Sequence, residues 1–349
     1  MSSAYVQMAP GIGSIVTANM KALFTHRSET FLAQGRYIDG TKSRDPSNTT
    51  DVGTLQPGMV MGKIAAGNYA PSIYGLTNGA LTSAGTTLTL ATAAIGTEIS
   101  RRKGATGTFK MTGPPTAAGV VRTMTITYSA ISSTSVTITA AGVNAVQTVN
   151  MNIASTGGNI VLKIPKSDGT FILTTPSAWS ATDATYLSNL QAVLDVASGV
   201  ANGIVATAIS ATDTDLGFVL TFSGTGYAAL PQPLVTVETL MTSTTSAQVT
   251  STTAGVDGRF VTGSLIQPVD GSEVPLTLTP DWDSGIKVTD SNGVSVSVVD
   301  FAKFPTGGEI DCAQIINYPA DASTRTWLQT QLSTLSGGKF SFSGTGGIY

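Results

Sequence analysis

Few side chains in this sequence can move protons, attack a substrate or hold a metal, and they lie far apart along the chain. His26 is the only histidine and Cys312 the only cysteine among 349 residues. A Ser-His-Asp or Cys-His system would have to use His26, and no G-x-S-x-G turn accompanies it. A single cysteine excludes a disulfide within the chain and a cysteine-based zinc site, and we expect it to be buried and inert. We therefore predict no enzyme activity, no catalytic residues and no cofactor.

Two aspartate pairs have a spacing that could bring carboxylates together around Ca²⁺, namely Asp213 with Asp215 and Asp281 with Asp283. Neither pair has full EF-hand spacing, and in a β-rich chain such residues usually bond their own backbone in turns. We therefore predict no metal ligands. Residues 101–103 (RRK) form a basic cluster, which is interpreted either as a solvated turn or as a contact for phosphate or an acidic partner.

The composition predicts a mainly β protein. Charged residues make up 11% of the chain, against about 25% in an average soluble domain, while abundant Gly, Thr and Val suit turns and strands. The net charge of −3 does not favour nucleic acid as a partner. The uncharged runs 64–97 and 123–162 are too rich in Thr, Ser, Gly and Asn to span a membrane. No basic residue precedes Lys21, so the start lacks the charged region of a secretory signal, and we expect a reducing cytoplasm.

Hydrophobic periodicity predicts many short strands. They are expected at 59–64, 69–74, 86–90, 123–128, 135–139, 146–153, 204–209, 218–222, 234–237 and 339–343. The segment 285–299 predicts a hairpin around Asn292-Gly293. The Ser/Thr-rich run 243–255 is interpreted as a linker.

Two segments predict amphipathic helices, because leucines recur at three- and four-residue spacing. The first lies within 177–199, where Thr182 or Asp183 can cap the start and Gly199 can take the left-handed position after the end. The second is 321–338, where Asp321 is the candidate N-cap and two glycines end the helix.

These elements suggest three parts of the chain. They are an N-terminal arm (1–50), a discontinuous β domain with a short C-terminal helix (51–100 plus 256–349), and an inserted β-sandwich-like domain with one helix (101–255). The arm carries large apolar or forked side chains of the kinds that anchor interfaces, and it docks either on another protein or on its own domain. The candidate interface residues are Phe24, Arg27, Phe31, Arg36 and Tyr37.

The charges are unevenly distributed between the two ends of the chain. Residues 1–50 hold five basic and three acidic residues, whereas residues 256–349 hold five basic and ten acidic residues. We therefore expect the two ends to face different surroundings.

The stretch 53–71, GTLQPGMVMGKIAAGNYAP, resembles the start of the compact β domain in head decoration (capsid cement) proteins of tailed bacteriophages. The pattern G-x-L-x-x-G-x-V-x-G-K-I…G-x-Y-x-P is carried by Gly53, Leu55, Gly58, Val60, Gly62, Lys63, Ile64, Gly67, Tyr69 and Pro71. Segments 258–296 and 300–333 also resemble phage head proteins of this kind. Between them, GTFKMTG (107–113), the helix at 184–200 and GFVLTFSGTGYAALP (217–231) resemble immunoglobulin-like β repeats of bacterial and phage surface proteins.

The resemblance implies a structural virion protein without catalysis. Such a protein binds the outer surface of an assembled icosahedral head and clamps neighbouring subunits of the major capsid protein. It is implied to be a homo-oligomer, a trimer at local three-fold positions, assembled in the host cytoplasm and located on the outer capsid surface. The arm would be the clamp, and the inserted domain would project outward, where it can contact the host surface. Neither nucleic acid nor a membrane is an implied partner.

Two other classes of function stay open. A phage fibre or adhesin module that binds host glycan or protein would need an aromatic platform on the inserted domain. Trp179, Tyr186 and Tyr227 could supply it, or they could pack in the core of that domain. A hydrolase acting on a cell-wall polymer would need a carboxylate that is essential for activity.

Overall fold

The structure is a computed structural model that describes residues 30–31, 36–64, 67–152, 154–165, 170–210, 213–268, 277–279, 286–290, 293–296, 299–301, 304–335 and 337–344. Across these residues the fold is mainly β, as the sequence predicts, and it has three helices, one more than the two that the sequence predicts. The helices are α1 Ala93–Lys103, α2 Asp183–Ser198 and α3 Ala322–Leu335, with a 3₁₀ helix at Cys312–Gln314.

The strands are short in the first and last parts of the chain and longer in the middle. In chain order they are β1 Thr30–Phe31, β2 Arg36–Ile38, β3 Thr54–Leu55, β4 Val60–Lys63, β5 Tyr69–Pro71, β6 Gly75–Leu76, β7 Thr87–Thr89, β8 Gly107–Gly113, β9 Arg122–Ile131, β10 Ser135–Ile138, β11 Val146–Met151, β12 Asn159–Pro165, β13 Phe171–Leu173, β14 Ser177–Ala178, β15 Ile204–Ser210, β16 Asp213–Phe222, β17 Thr236–Thr239, β18 Ala247–Thr253, β19 Leu265–Pro268, β20 Thr277–Leu278, β21 Ile286–Lys287, β22 Val299–Phe301, β23 Pro305–Asp311 and β24 Phe340–Ser343.

The chain divides into two compact units. Unit 1 takes the described residues of Met1–Leu81, Thr87–Thr139 and Phe260–Tyr349, and unit 2 takes those of Thr82–Thr86 and Ala140–Arg259. The expected boundary at residue 101 is wrong, because β8, β9 and β10 belong to a six-stranded sheet of unit 1 in the order β6-β19-β8-β9-β10-β7. Pairing with strands of unit 1 assigns β8 and β10 to this sheet, because Met111 faces Ile266 and Val136 faces Leu88.

Unit 1 also contains a five-stranded sheet in the order β20-β4-β5-β2-β22, a three-stranded sheet β1-β23-β24 and a two-stranded sheet β21-β3. One apolar cluster joins α3 to strands from both ends of the chain. Its buried residues are Val60, Ile73, Leu265, Leu278, Ile310, Cys312, Ile315, Leu328, Leu332, Phe340 and Phe342. A second cluster gathers Ile38, Leu55, Met59, Met61, Ile286, Val288, Phe304 and Ile316. Segments far apart in sequence therefore share both cores.

The described part of the expected N-terminal arm is built into unit 1. Strand β2 lies between β5 and β22, parallel to the first and antiparallel to the second. Ile38, Ser43 and Asp45 are fully buried. Residues 36–50 are thus not a separate arm, because their strand hydrogen bonds and core contacts lie within this unit. Phe24, His26 and Arg27 lie outside the described residues.

Unit 2 is a pair of sheets that share one apolar core with α2. One sheet has the order β15-β16-β11-β18; in the other, β12 pairs with β13 and β14 and also with β17. Val149 and Phe218 from the first sheet, Leu162 from the second, and Leu190 and Leu194 from α2 are all completely buried in this core. This is the β-sandwich-like arrangement with one helix that the sequence predicts.

The capping residues predicted the ends of α2 and α3 correctly, whereas the prediction of a linker at residues 243–255 was wrong. Gly199 has φ 72° after α2, and the Asp321 carboxylate accepts a hydrogen bond of 2.8 Å from the Thr324 N–H at the start of α3. The predicted hairpin forms a Val296 N–H to Val288 O=C bond of 3.1 Å. By contrast, the run 243–255 contains β18, because its β-branched residues find a partner in β11 about a hundred residues earlier.

Candidate interaction surface

The described members of the predicted interface set fall at different places in unit 1. Phe31 lies in β1 opposite Pro305, and Arg36 lies in β2 opposite Phe301. Tyr37 follows Arg36 and is 52% exposed, while the next residue, Ile38, is buried. The alternation of a strand therefore presents the Tyr37 ring to solvent and turns its neighbour into the core. Tyr37 is the member of the predicted set whose side chain is described and exposed.

The basic cluster at residues 101–103 is the last turn of α1, and two of its side chains bind the protein itself. The Arg101 Nε lies 2.8 Å from a Glu98 carboxylate oxygen, and Arg101 Nη1 donates to the Thr41 carbonyl at 2.9 Å. Arg102 is buried, lies 4.8 Å above the Tyr74 ring and donates to the Pro71 carbonyl. Cations also interact favourably with a helix C-terminus. These arginines connect α1 to the turn at Thr41 and to the end of β5, and they are not arranged as a phosphate site.

The aromatic residues considered for a ligand platform pack into the core of unit 2. Tyr186 is fully buried, and its ring lies 6.4 Å from that of Phe218 in an edge-on arrangement. Tyr227 is 8% exposed and packs near Phe222, and Trp179 is partly buried against the same core. Burial also raises the pKa of Tyr227. An exposed aromatic platform built from these three residues is therefore excluded.

Cys312 is completely buried in unit 1, as expected for a lone cysteine. The Tyr318 hydroxyl donates to its sulfur at 3.3 Å, and the Gln329 amide donates to the Tyr318 oxygen at 2.6 Å. Burial, together with the hydrogen bond to Cys312, raises the pKa of Tyr318. The thiol is held in a small polar network under α3, away from solvent, which suits a structural role better than a reactive one.

The described residues bring together no group of three or more His, Cys, Asp or Glu side chains that could hold a metal. Asp213 and Asp215 lie in β16, and Asp281 and Asp283 lie outside the described residues. Calcium binding by either pair therefore stays an untested alternative. Within the same part of the chain, none of the helices has the length and apolar content needed to cross a membrane.

Three shallow concavities are lined by neutral side chains. One, of about 480 Å³, lies in unit 2 between β17 and β18. The other two, of about 430 Å³ and 330 Å³, run along α3 in unit 1. Their described linings contain Ser, Thr, Gln and apolar residues and no titratable group. Such surfaces can bind a protein chain, but they offer no group for acid–base chemistry.

The described residues of the stretch 53–71 form three short strands, β3, β4 and β5, and its pattern residues have structural roles. Leu55, Val60 and Ile64 are buried. Gly58 and Gly67 have φ of 84° and 89°, values that favour glycine, and each lies in a turn beside β4. The spacing of glycines and apolar residues in this stretch is therefore explained by turns and core packing.

The edge formed by β18 is a surface that the sequence reasoning missed, because residues 243–255 were interpreted as a linker. The signal was available in Val249, Thr250, Thr252 and Thr253, whose β-branched side chains favour a strand. No protein-family model matches this chain, and a search of curated proteins finds no match.

Proposed function

We propose that this protein is a structural virion protein, a capsid decoration protein of a tailed bacteriophage. In this proposal it binds the outer surface of an assembled icosahedral head and stabilises it by clamping neighbouring major capsid subunits. It acts as a homo-oligomer, a trimer at local three-fold positions. Unit 2 is the additional domain, free to contact the host surface.

The observation that carries the proposal is that the two segments resembling decoration proteins interlock in one unit. Strand β4, from the stretch 53–71, pairs with β20, and Leu55 of β3 pairs with Ile286 of β21. The Tyr69 ring packs 4.8 Å from the Phe304 ring. Segments more than 200 residues apart thus build one compact β unit, as a decoration domain interrupted by an insertion requires.

The chemistry of the described surface also supports a binding role. The concavities are neutral, the lone cysteine is buried, and two arginines of the basic cluster are used internally. Flat, weakly charged β surfaces contact a partner through backbone groups and small side chains, which suits a protein that binds other proteins. The burial of Tyr186 and Tyr227 removes the feature that would have favoured a glycan-binding module.

The proposal is tested by co-sedimentation of the purified full chain with expanded heads that lack their decoration protein. We expect the full chain to sediment with the heads and to raise their thermal stability. A chain that does not bind under these conditions would overturn the proposal.

A deletion then tests whether the N-terminal segment is the clamp. The deletion should end at residue 29, because deletion of 1–50 would remove β2 and the buried Ile38 and Asp45 and so unfold unit 1. We expect the shortened chain to stay folded and to lose most head binding. Tyr37→Ala should weaken head binding, and the matched control is Phe171→Ala in unit 2, where the ring is 57% exposed. Equal binding by the deletion variant would assign the contact to the body of unit 1.

A further inference from the structure

Strand β18 is an edge strand with no charge or proline to oppose pairing, and its register with β11 is regular from Ala247 to Ser251, before the register shift at Thr252. It ends the order β15-β16-β11-β18, and among the described residues it pairs with β11 alone. Its sequence, AQVTSTT, contains no charge and no proline. Natural edge strands are usually blunted by lysine, proline or a covering segment, because their free N–H and C=O groups attract another strand.

The register identifies which backbone groups face away from β11. The Asn152 N–H donates to the carbonyl of Ser246, the residue opposite it in the register with β11. Along an antiparallel ladder, hydrogen-bonded pairs of residues alternate with pairs whose N–H and C=O groups point away from each other. The N–H and C=O groups of Ala247, Val249 and Ser251 therefore point to the free edge. Within the described part of the chain, the backbone hydrogen bonds outside the ladders leave these three N–H groups unused.

An apolar groove runs beside the same edge. It measures about 480 Å³ and lies between β17 and β18, the edge strands of the two sheets of unit 2. Its lining includes the apolar residues Leu234, Val235, Leu240, Ala247 and Val249. Leu234 is 48% exposed, so the sandwich leaves apolar surface open along this seam. The occupant of the edge must supply both a strand backbone and neutral side chains.

We propose that this occupant is β18 of a second copy of the chain, paired antiparallel about a two-fold axis. With the axis at Val249, each Val249 faces its counterpart, and Ala247 of one copy faces Ser251 of the other. Each opposed pair then exchanges reciprocal N–H···O=C bonds, because all three residues present both groups to the edge. The two four-stranded sheets become one continuous sheet across the dimer.

The chemistry of β18 favours its own copy as the partner. In a two-fold contact residue i meets residue j and j meets i, so Val249 at the axis faces its counterpart and the other residues of β18 face residues of the same short strand. Equal charges brought together near the axis would repel each other. This strand carries none, and its exposed Gln248, Thr250 and Thr252 can form neutral cross-strand contacts. The contact lies in unit 2, is a two-fold contact separate from the three-fold assembly of the proposed function, and does not depend on the proposed binding to phage heads.

The first test is sedimentation equilibrium of the full chain over a wide concentration range, compared with Ser251→Pro and Ser251→Ala. Proline removes the outward N–H of an exposed residue and leaves the ladder to β11 intact. In the dimer this N–H bonds the Ala247 carbonyl of the other copy, and the two-fold axis repeats the bond, so the variant loses two hydrogen bonds. We therefore expect the association constant to fall about 30-fold or more. Ser251→Ala keeps the N–H and should associate like the natural chain. All three proteins should show similar melting temperatures.

The second test is cross-linking through Val249→Cys. Hydrogen-bonded antiparallel partners have Cα atoms about 5.5 Å apart, which lies within disulfide reach. Cys312 is buried and should not contribute. The matched control is Thr207→Cys on β15, at the opposite edge of the same sheet. We expect a disulfide dimer for Val249→Cys and little for Thr207→Cys. A monomeric natural chain, unchanged association of Ser251→Pro, or equal cross-linking of both cysteine variants would overturn the proposal.

Discussion

The five-stranded sheet of unit 1 and the four-stranded sheet of unit 2 are stabilised in different ways. Strands of the first are two to four residues long, for example β20 with two and β4 with four. Strands of the second run from six residues in β11 to ten in β16. Short strands form few ladder hydrogen bonds, so the unit 1 sheet needs other groups to satisfy its backbone.

Buried polar side chains supply those groups in unit 1. The Thr279 hydroxyl accepts from the Met59 N–H at 2.8 Å and donates to the Gln56 carbonyl at 2.6 Å. The buried Asp45 carboxylate accepts from the N–H groups of Ser47 and Gln56, both at 3.0 Å. These bonds join segments that are up to 223 residues apart in sequence. The fold of this region therefore depends on polar side chains that match the backbone groups of other loops.

Unit 2 relies more on apolar burial. Its core buries Phe218, Phe222 and Tyr186 completely, with long ladders on one side and α2 against the sheets. Each large aromatic side chain contributes substantial apolar area to such a core. The same mainly β composition therefore supports two kinds of structural specificity, one through satisfied polar groups and one through packing.

The largest expected effect comes from breaking the unit 2 core with Phe218→Ala. Removing a fully buried ring leaves a cavity, and we expect unit 2 to lose about 3–5 kcal/mol of unfolding free energy. Hydrogen exchange followed by mass spectrometry should show lost protection in β11, β15 and β16.

The matched control for Phe218→Ala is Val196→Ala on α2, where the side chain is 75% exposed. We expect this variant to change the unfolding free energy by less than about 0.5 kcal/mol. Similar effects from both variants would show that apolar burial does not dominate unit 2.

A pair of threonine variants tests whether buried polar contacts stabilise unit 1 more than unit 2. Thr279→Val keeps the side-chain shape and leaves a buried donor and a buried acceptor unsatisfied, so we expect a loss of about 2–4 kcal/mol. Thr174→Val in unit 2 removes only the acceptor for the Leu162 N–H, and we expect a loss of about 1–2 kcal/mol. Urea denaturation with region-resolved hydrogen exchange measures both. A larger loss for Thr174→Val would contradict the proposed difference.

The smallest expected effect concerns pH. The Thr54 hydroxyl and the Gly53 N–H donate to the Asp51 carboxylate and lower its pKa below the ordinary value of 3.8. A group with a lowered folded pKa stabilises the fold above its unfolded pKa, and this contribution disappears as the pH falls through the folded pKa.

The variant Asp51→Asn tests this contribution to stability. Its urea midpoint should lie slightly below that of the natural chain well above pH 3.8, and the difference should vanish well below that pH. A difference that does not change with pH would assign the effect to loop geometry and not to the charge.

The sequence predicted the elements whose signals are local. The leucine spacing of α2 and α3 lies within each helix and the cap residues adjoin it, and the hairpin turn around Gly293 lies between the two segments that it joins. The sequence missed α1, where Gly96 and Thr97 weaken helix propensity. That helix depends on tertiary contacts: a side chain at Gly96 would clash with the carbonyl groups of Ser132 and Ser133.

Composition and local periodicity alone determined the mainly β class, the lack of a recognisable catalytic set, and the positions of α2 and α3. Only the tertiary structure decided that β8–β10 belong to unit 1, and that β18 is a strand which pairs with β11 alone among the described residues. It also decided that Arg101 and Arg102 bind the Thr41 and Pro71 carbonyl groups of the same unit. The physical reason is that strand pairing and buried polar contacts join residues distant in sequence. A stretch such as AQVTSTT therefore becomes a strand only where β11 offers it a partner.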